Sequence, residues 1–141
     1  MELELTYTIN APTTIVWESI TDPTHIEQWS GGPAVMPEHA GEDFSLWGGE
    51  IYGQLTKLTY HEGIEQDWYT NDWDESSHVI MTFTPKKDST IVDIKHTNIP
   101  EDSLDSIKEG WDENFMEPFI EYVEDLHSME GDDMDELYFE E

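Results

Sequence analysis

Apolar residues occupy every second position at the start of the chain, where Leu3, Leu5, Tyr7 and Ile9 alternate with Glu4, Thr6 and Thr8. That period of two predicts a half-buried strand, ended by Asn10-Ala11-Pro12. The spacing then changes. Ile15, Val16, Ile20, Ile26 and Trp29 follow a helical rhythm, with Pro12 near its start and Asp22-Pro23 interrupting it. Two short helices satisfy this pattern. Residues 30–42 are rich in Gly and Pro and read as a loop with a short strand at its centre. From Phe44 to Asn98 the pattern is strand after strand: "DFSLW" and "EIYGQLTKLTY" meet across Gly48-Gly49, a hairpin signal, and "IEQDWYT", "HVIMTFT" and "TIVDIKHT" follow. The run His61-Glu62 is read as part of a strand, with its side chains on opposite faces. Short links between consecutive strands favour an antiparallel meander.

The last element is a helix over about residues 103–126, in which Leu104, Ile107, Trp111, Phe115, Phe119, Tyr122 and Leu126 recur every three or four positions. Such a stripe must be buried, and the sheet is its available partner. Pro118 lacks a donor N–H and predicts a kink near Asn114 to Phe115, while Gly110 predicts close approach beside Trp111. The expected architecture is α+β: a curved antiparallel sheet with two short helices and one long C-terminal helix packed on it. A bent helix on a curved sheet can leave space between the two. One domain is expected over residues 1–127, followed by an acidic, flexible tail over residues 128–141.

Charge narrows the partners. The chain has 34 Asp and Glu against 5 Lys and Arg together, for a net charge of -29. Nucleic acid is disfavoured, because its binding depends on cationic side chains that neutralise phosphates, and an anionic membrane surface repels the chain as well. Adaptation to a salty cytoplasm, where screening removes self-repulsion, is one reading of the excess. Recognition of a basic protein partner is the other. There are no cysteines, so thiolate chemistry and cysteine-based zinc sites are excluded. No stretch supplies the roughly 20 apolar residues that span a bilayer, and a cytoplasmic protein is expected.

No catalytic constellation, cofactor motif or metal site emerges. His61-Glu62 lacks the second histidine of a zincin motif, and "DDMDELYFEE" lacks the glycine and ligand spacing of a calcium loop. Counting by twos places His96 on the face of Val92 and Ile94, toward the helix. A hydrogen bond to a neighbouring backbone group or hydroxyl is the ordinary use of such a histidine, and His78, beside Ser77, has the same reading. Trp29, Trp47, Trp68, Trp73, Trp111, Phe115 and Phe119 either fill a core or line a cavity.

The order of strand, two short helices, meander and long helix resembles the helix-grip fold of the START-like (Bet v 1-like) superfamily. Local segments resemble one of its families, the activators of Hsp90 ATPase. These are "INAPTTIVWESITDPTHIEQW", "FSLWGGEIYGQL" with Gly53, "GIEQDWYTNDWDESSHVIMTF" with Trp68, Trp73 and Ser77, and "HTNIPEDSLDSIKEGW" with His96, Ile99, Pro100, Gly110 and Trp111. The resemblance covers about residues 3–126. Tyr69 departs from an Arg common in the family, and Asp74 from a Pro. The eukaryotic co-chaperones also carry a separate N-terminal domain, for which 141 residues leave no room.

The resemblance implies a cavity between sheet and helix. The expected function is non-enzymatic binding of a hydrophobic small molecule against Met81, Phe83, Ile94, Trp111, Phe115 and Phe119, with His96 as the polar anchor. The alternatives are a protein-interaction or stress-response module that meets a basic partner such as an Hsp90-like chaperone, and a cyclase or hydratase-type enzyme on the same fold.

Overall fold

The computed structural model describes residues 2–69 and 75–139, with side chains described as far as residue 128. Trp73 and Asp74 lie outside the described residues. The described residues form seven strands: β1 (Leu3–Ile9), β2 (Ala34–Val35), β3 (Asp43–Leu46), β4 (Ile51–Thr59), β5 (Gly63–Tyr69), β6 (Ser77–Pro85) and β7 (Thr90–Thr97). They form one curved antiparallel sheet in the order β1-β7-β6-β5-β4-β3-β2. The meander is therefore as expected, and β1 closes the far edge beside β7 with Leu5 opposite Ile94. Alternation does its work on each strand: Val79, Met81 and Phe83 on β6, and Val92, Ile94 and His96 on β7, are buried on one face.

Two short helices, α1 (Thr13–Thr21) and α2 (Pro23–Ser30), cover one end of that face. Asp22 separates them because its side chain accepts the Thr24 N–H at 2.9 Å, which caps a helix that Pro23 opens without losing a bond. Gly31, at φ 78°, ends α2 in the left-handed conformation.

The C-terminal helix crosses the rest of the face as α3 (Leu104–Gly110), a π-helical turn (Trp111–Met116) and α4 (Glu117–Phe139). Pro118 accounts for the wide turn. In an α-helix its ring would collide with the Asn114 carbonyl and supply no N–H; here the Glu117 N–H reaches back five residues to the Asp112 carbonyl. The predicted kink is thus a π insertion. The α4 backbone runs into the segment 128–141 as far as Phe139. Phe119 and Val123 are fully buried against the sheet. Polar ties fix the helix further: the Tyr7 hydroxyl donates to Asp112, the Asn10 N–H donates to Glu124 at 2.9 Å, and His25 meets the Tyr122 hydroxyl at 2.5 Å. No described helix is long and apolar enough to cross a membrane.

Three glycine and turn positions sharpen the sequence reading. A methyl group on Gly53 would sit 1.8 Å from the Asp67 carbonyl oxygen on β5, so only glycine lets β4 and β5 pair there. Gly110 is different: a methyl group would meet only the Asn114 amide nitrogen, at 4.0 Å, which corrects the expectation of close approach. His61 does not lie in a strand but in the β4–β5 turn, at φ 62° and stacked on Tyr60 at 3.8 Å.

Candidate functional site

The π turn sets the geometry beneath it. It carries Trp111 and Phe115 on its inner side, with ring centroids 4.7 Å apart, and stacks Trp111 on Trp68 of β5 at 4.9 Å. These three rings form the floor of an open cleft of about 460 Å³. Trp29 from α2 and Trp47 from the β3–β4 corner wall one side, while Ile107 and Gly110 of α3 wall the other. Glu50 and Glu113 stand exposed at the mouth.

Trp47 is held in place by a hydrogen bond, against the strain of its backbone. Its backbone sits at φ 52°, a left-handed conformation that bulky side chains rarely adopt and that costs on the order of 1–3 kcal/mol. Its indole N–H donates to the Ser30 carbonyl at 2.9 Å, and Gly32 leaves room for its ring, since a methyl group there would approach the Trp47 Cδ1 to 3.1 Å.

Behind the floor runs a chain of hydrogen bonds whose direction is fixed by its donors. The Trp111 indole N–H, a donor only, reaches His96 Nδ1 at 3.0 Å. His96 Nδ1 must therefore accept, so the proton sits on Nε2 and is donated to Ser77 Oγ at 2.7 Å. The Ser77 hydroxyl in turn donates to the Trp68 carbonyl at 3.3 Å, and the Trp68 indole N–H donates to Gln66 Oε1 at 2.8 Å. At its far end the Gln66 amide nitrogen donates to Met36 Sδ at 3.8 Å. His96 is fully buried; burial, then the nearby His78, lowers its pKa from 6.5 to about 4. It is neutral, and both ring nitrogens are engaged. His78 itself bonds Asp67 at 2.9 Å and pairs with Glu65 at 3.5 Å.

The residues expected at the site separate into two groups. Trp111 and Phe115 line the cleft. Met81, Phe83, Ile94 and Phe119 sit inside the packed core and His96 is buried beside them, under the helix rather than beside the opening. Of the wider aromatic set, Trp29, Trp47 and Trp68 also reach the cleft. Sequence reasoning did not single out Ile51, Ile107, Glu50 or Glu113 as cleft residues. Their signal was positional: Glu50 and Ile51 follow the Gly48-Gly49 turn, and Glu113 lies on the turn that Pro118 widens.

Among the described residues, Glu18, Asp22 and His25 bring ligand atoms within 4.8 Å of one another, as a metal would require. Asp22 already caps α2, and His25 is shared by Tyr122 and Glu18.

Comparison with known proteins agrees with this architecture. A family model described as activator of Hsp90 ATPase homolog 1-like protein matches residues 10–124. Over 80 residues the chain is 36% identical to an activator of 90 kDa heat shock protein ATPase homolog from Dictyostelium discoideum; the match covers 55% of this chain and 21% of that protein. The chain thus spans about a fifth of that curated relative. The crystal structure of an HSP90 activator from Plasmodium falciparum superposes with a TM-score of 0.78 at 30% identity, covering 83% of this chain and 91% of the other. A Mesorhizobium loti protein shares the fold at 20% identity, with a TM-score of 0.76 and coverage of 87% and 96%.

Proposed function

The chain belongs to the family of activator of Hsp90 ATPase homolog 1-like proteins, and from that premise we propose that it binds a hydrophobic small molecule in the cleft beneath its C-terminal helix without transforming it. The observation that carries this reading is the cleft itself: about 460 Å³ walled by four tryptophans and Phe115. That volume falls in the range of small-molecule sites, which are mostly apolar with a few polar groups. Trp47, Ile51 and Ile107, which are only partly buried, supply the contact area, and Trp111 and Phe115 supply the floor. Binding without chemistry is favoured because His96, the buried titratable group nearest the floor, already spends both ring nitrogens on Trp111 and Ser77.

The test is an NMR titration of isotope-labelled protein at high salt with fatty acids, flat aromatics, sterols and aryl-alkyl amines. Saturable shifts centred on the Trp47 and Trp111 indoles, and lost in Ile107→Trp, which fills the cleft from its wall, are the expected result. Absence of saturable shifts with every compound overturns the reading.

A second reading is favoured by a different observation, the 30% identity across 91% of an HSP90 activator. In it the domain docks on an Hsp90-like chaperone through its acidic surface. Electrostatic docking weakens as salt rises, so calorimetric titration against such a chaperone at low and high KCl checks it; no heat of binding at either salt rejects it.

A further inference from the structure

The cleft is apolar in its depth but charged at its mouth, and the charge has one sign. Glu50 and Glu113 line it, and no lysine does among the described residues. Glu113 is crowded by Glu109 first, and by Glu117 and Asp112, which pushes its carboxyl above the ordinary range. Each further negative charge at this mouth adds to that repulsion, and a positive one relieves it. The walls favour the same sign. Aromatic rings present negative faces, and tryptophan is the best of them for holding a cation; of the four cleft tryptophans Trp47 is the one only partly buried, so its ring is the one offered to a ligand.

We propose that the cleft selects cationic amphiphiles, molecules with an apolar body and a tertiary or quaternary ammonium group, the body lying on Trp111 and Phe115 and the ammonium held at the mouth by Glu50, Glu113 and the Trp47 ring. The proposal rests on the cleft being a ligand site at all and adds the charge class of the ligand. An alkylated ammonium suits the place because its charge is spread over carbon and it gives up less hydration than a compact ion when it leaves water. A fatty-acid carboxylate would instead meet two carboxylates without a cation to offset them.

Three probes with one apolar body separate the charge class from the pocket: 6-phenylhexyl-trimethylammonium, 6-phenylhexanol and 6-phenylhexanoate, titrated against the whole chain with indole NMR as readout. At about 0.15 M KCl the ammonium is expected to bind about tenfold tighter than the alcohol, and the carboxylate weakest. The preference should shrink several-fold near 1 M KCl, where the Debye length falls to about 3 Å. Glu50→Gln with Glu113→Gln should abolish most of the preference while leaving alcohol binding in place. Glu4→Gln with Asp88→Asn removes the same charge away from the cleft and should leave the preference intact. Equal affinity for alcohol and ammonium, tighter carboxylate binding, or loss of preference in the distal pair as well would each overturn the charge assignment and leave the pocket standing. If none of the three binds, the pocket reading falls with it.

Discussion

At the scale of single residues, His96 and two glycines are the positions where one atom decides an outcome. His96 is neutral in the fold and its pKa is lowered to about 4, whereas an unfolded histidine titrates near 6.5. Between those values the unfolded chain binds more protons, so stability rises with pH there. The contribution is complete above about pH 6.5 and is lost as pH falls toward 4. Between pH 7 and pH 5 the loss is about 2 kcal/mol by linkage. Denaturant unfolding at both pH values, near 1 M KCl to screen the changing carboxylate charge, should show that loss, and His96→Asn should show little of it; equal losses in both proteins would remove His96 as the cause. The glycines make a contrasting pair. Gly53→Ala places a methyl group 1.8 Å from the Asp67 carbonyl oxygen, so β4 and β5 must separate locally. A loss above about 3 kcal/mol is expected, in the range reserved for backbone clashes and broken pairing. Gly110 is helical and its methyl position is open. Gly110→Ala should therefore stabilise by about 0.5–1 kcal/mol, because alanine loses less chain entropy. Thermal melts of the two variants in opposite directions are the check.

At the scale of elements, the π turn is the feature that separates a packed helix from one with a cleft beside it. The sequence already carried its cause, Pro118, and the apolar stripe from Leu104 to Leu126 told which side faces the sheet. It did not carry the consequence. A stripe spaced by three and four residues is compatible with a kink or with an inserted residue, and only the positions of Trp111 on His96 and Phe119 in the core select the insertion. The same limit explains why Met81, Phe83 and Ile94 were expected at the cleft. Period-two counting gives the face of a strand but not the distance along it, and these residues lie where the helix already fills the face. Trp47 was legible as a candidate through its type, yet its place at the wall depends on a left-handed turn that propensity disfavours. A π turn is an α-helix with one residue added, so deleting Asn114 together with Pro118→Ala removes both the added residue and the ring that requires it. The helix should become continuous with Trp111 still bonded to His96, raise the melting temperature, and bind cleft ligands at least about tenfold more weakly, as a narrowed site would. Deleting Asn114 alone leaves a proline in an α-helical interior and should cost about 3 kcal/mol instead. Circular-dichroism melts and the Trp111 indole resonance distinguish these outcomes, and a double variant that melts below the parent would refute the insertion argument.

At the scale of the whole molecule, the order of elements was the most legible property, because each strand and helix announced its own period and the short links left few topologies. The net charge of -29 was legible too, but not its effect on the fold, which depends on distances between charges. The structure offers little local compensation. Among the described residues, Lys57 pairs with Glu65 at 3.9 Å, and the other ion-pair contacts to carboxylates come from histidines. The acids therefore repel one another across a compact surface, and the expanded chain relieves that repulsion by separating them. Salt acts on this difference. Near 0.1 M the Debye length is about 10 Å; near 1 M it is about 3 Å, and exposed charges farther apart than that are largely screened from one another. The melting temperature should thus climb steeply from low to molar KCl. Chloride salts of sodium and potassium should act alike, since screening depends on ionic strength and not on the cation. Sulfate would raise stability even for a neutral protein by exclusion from its surface, so it cannot serve as the test salt. A melting temperature that stays flat across the KCl series would mean that the acids are already balanced by local geometry, and the charge excess would then have to be explained by a basic partner rather than by the solvent.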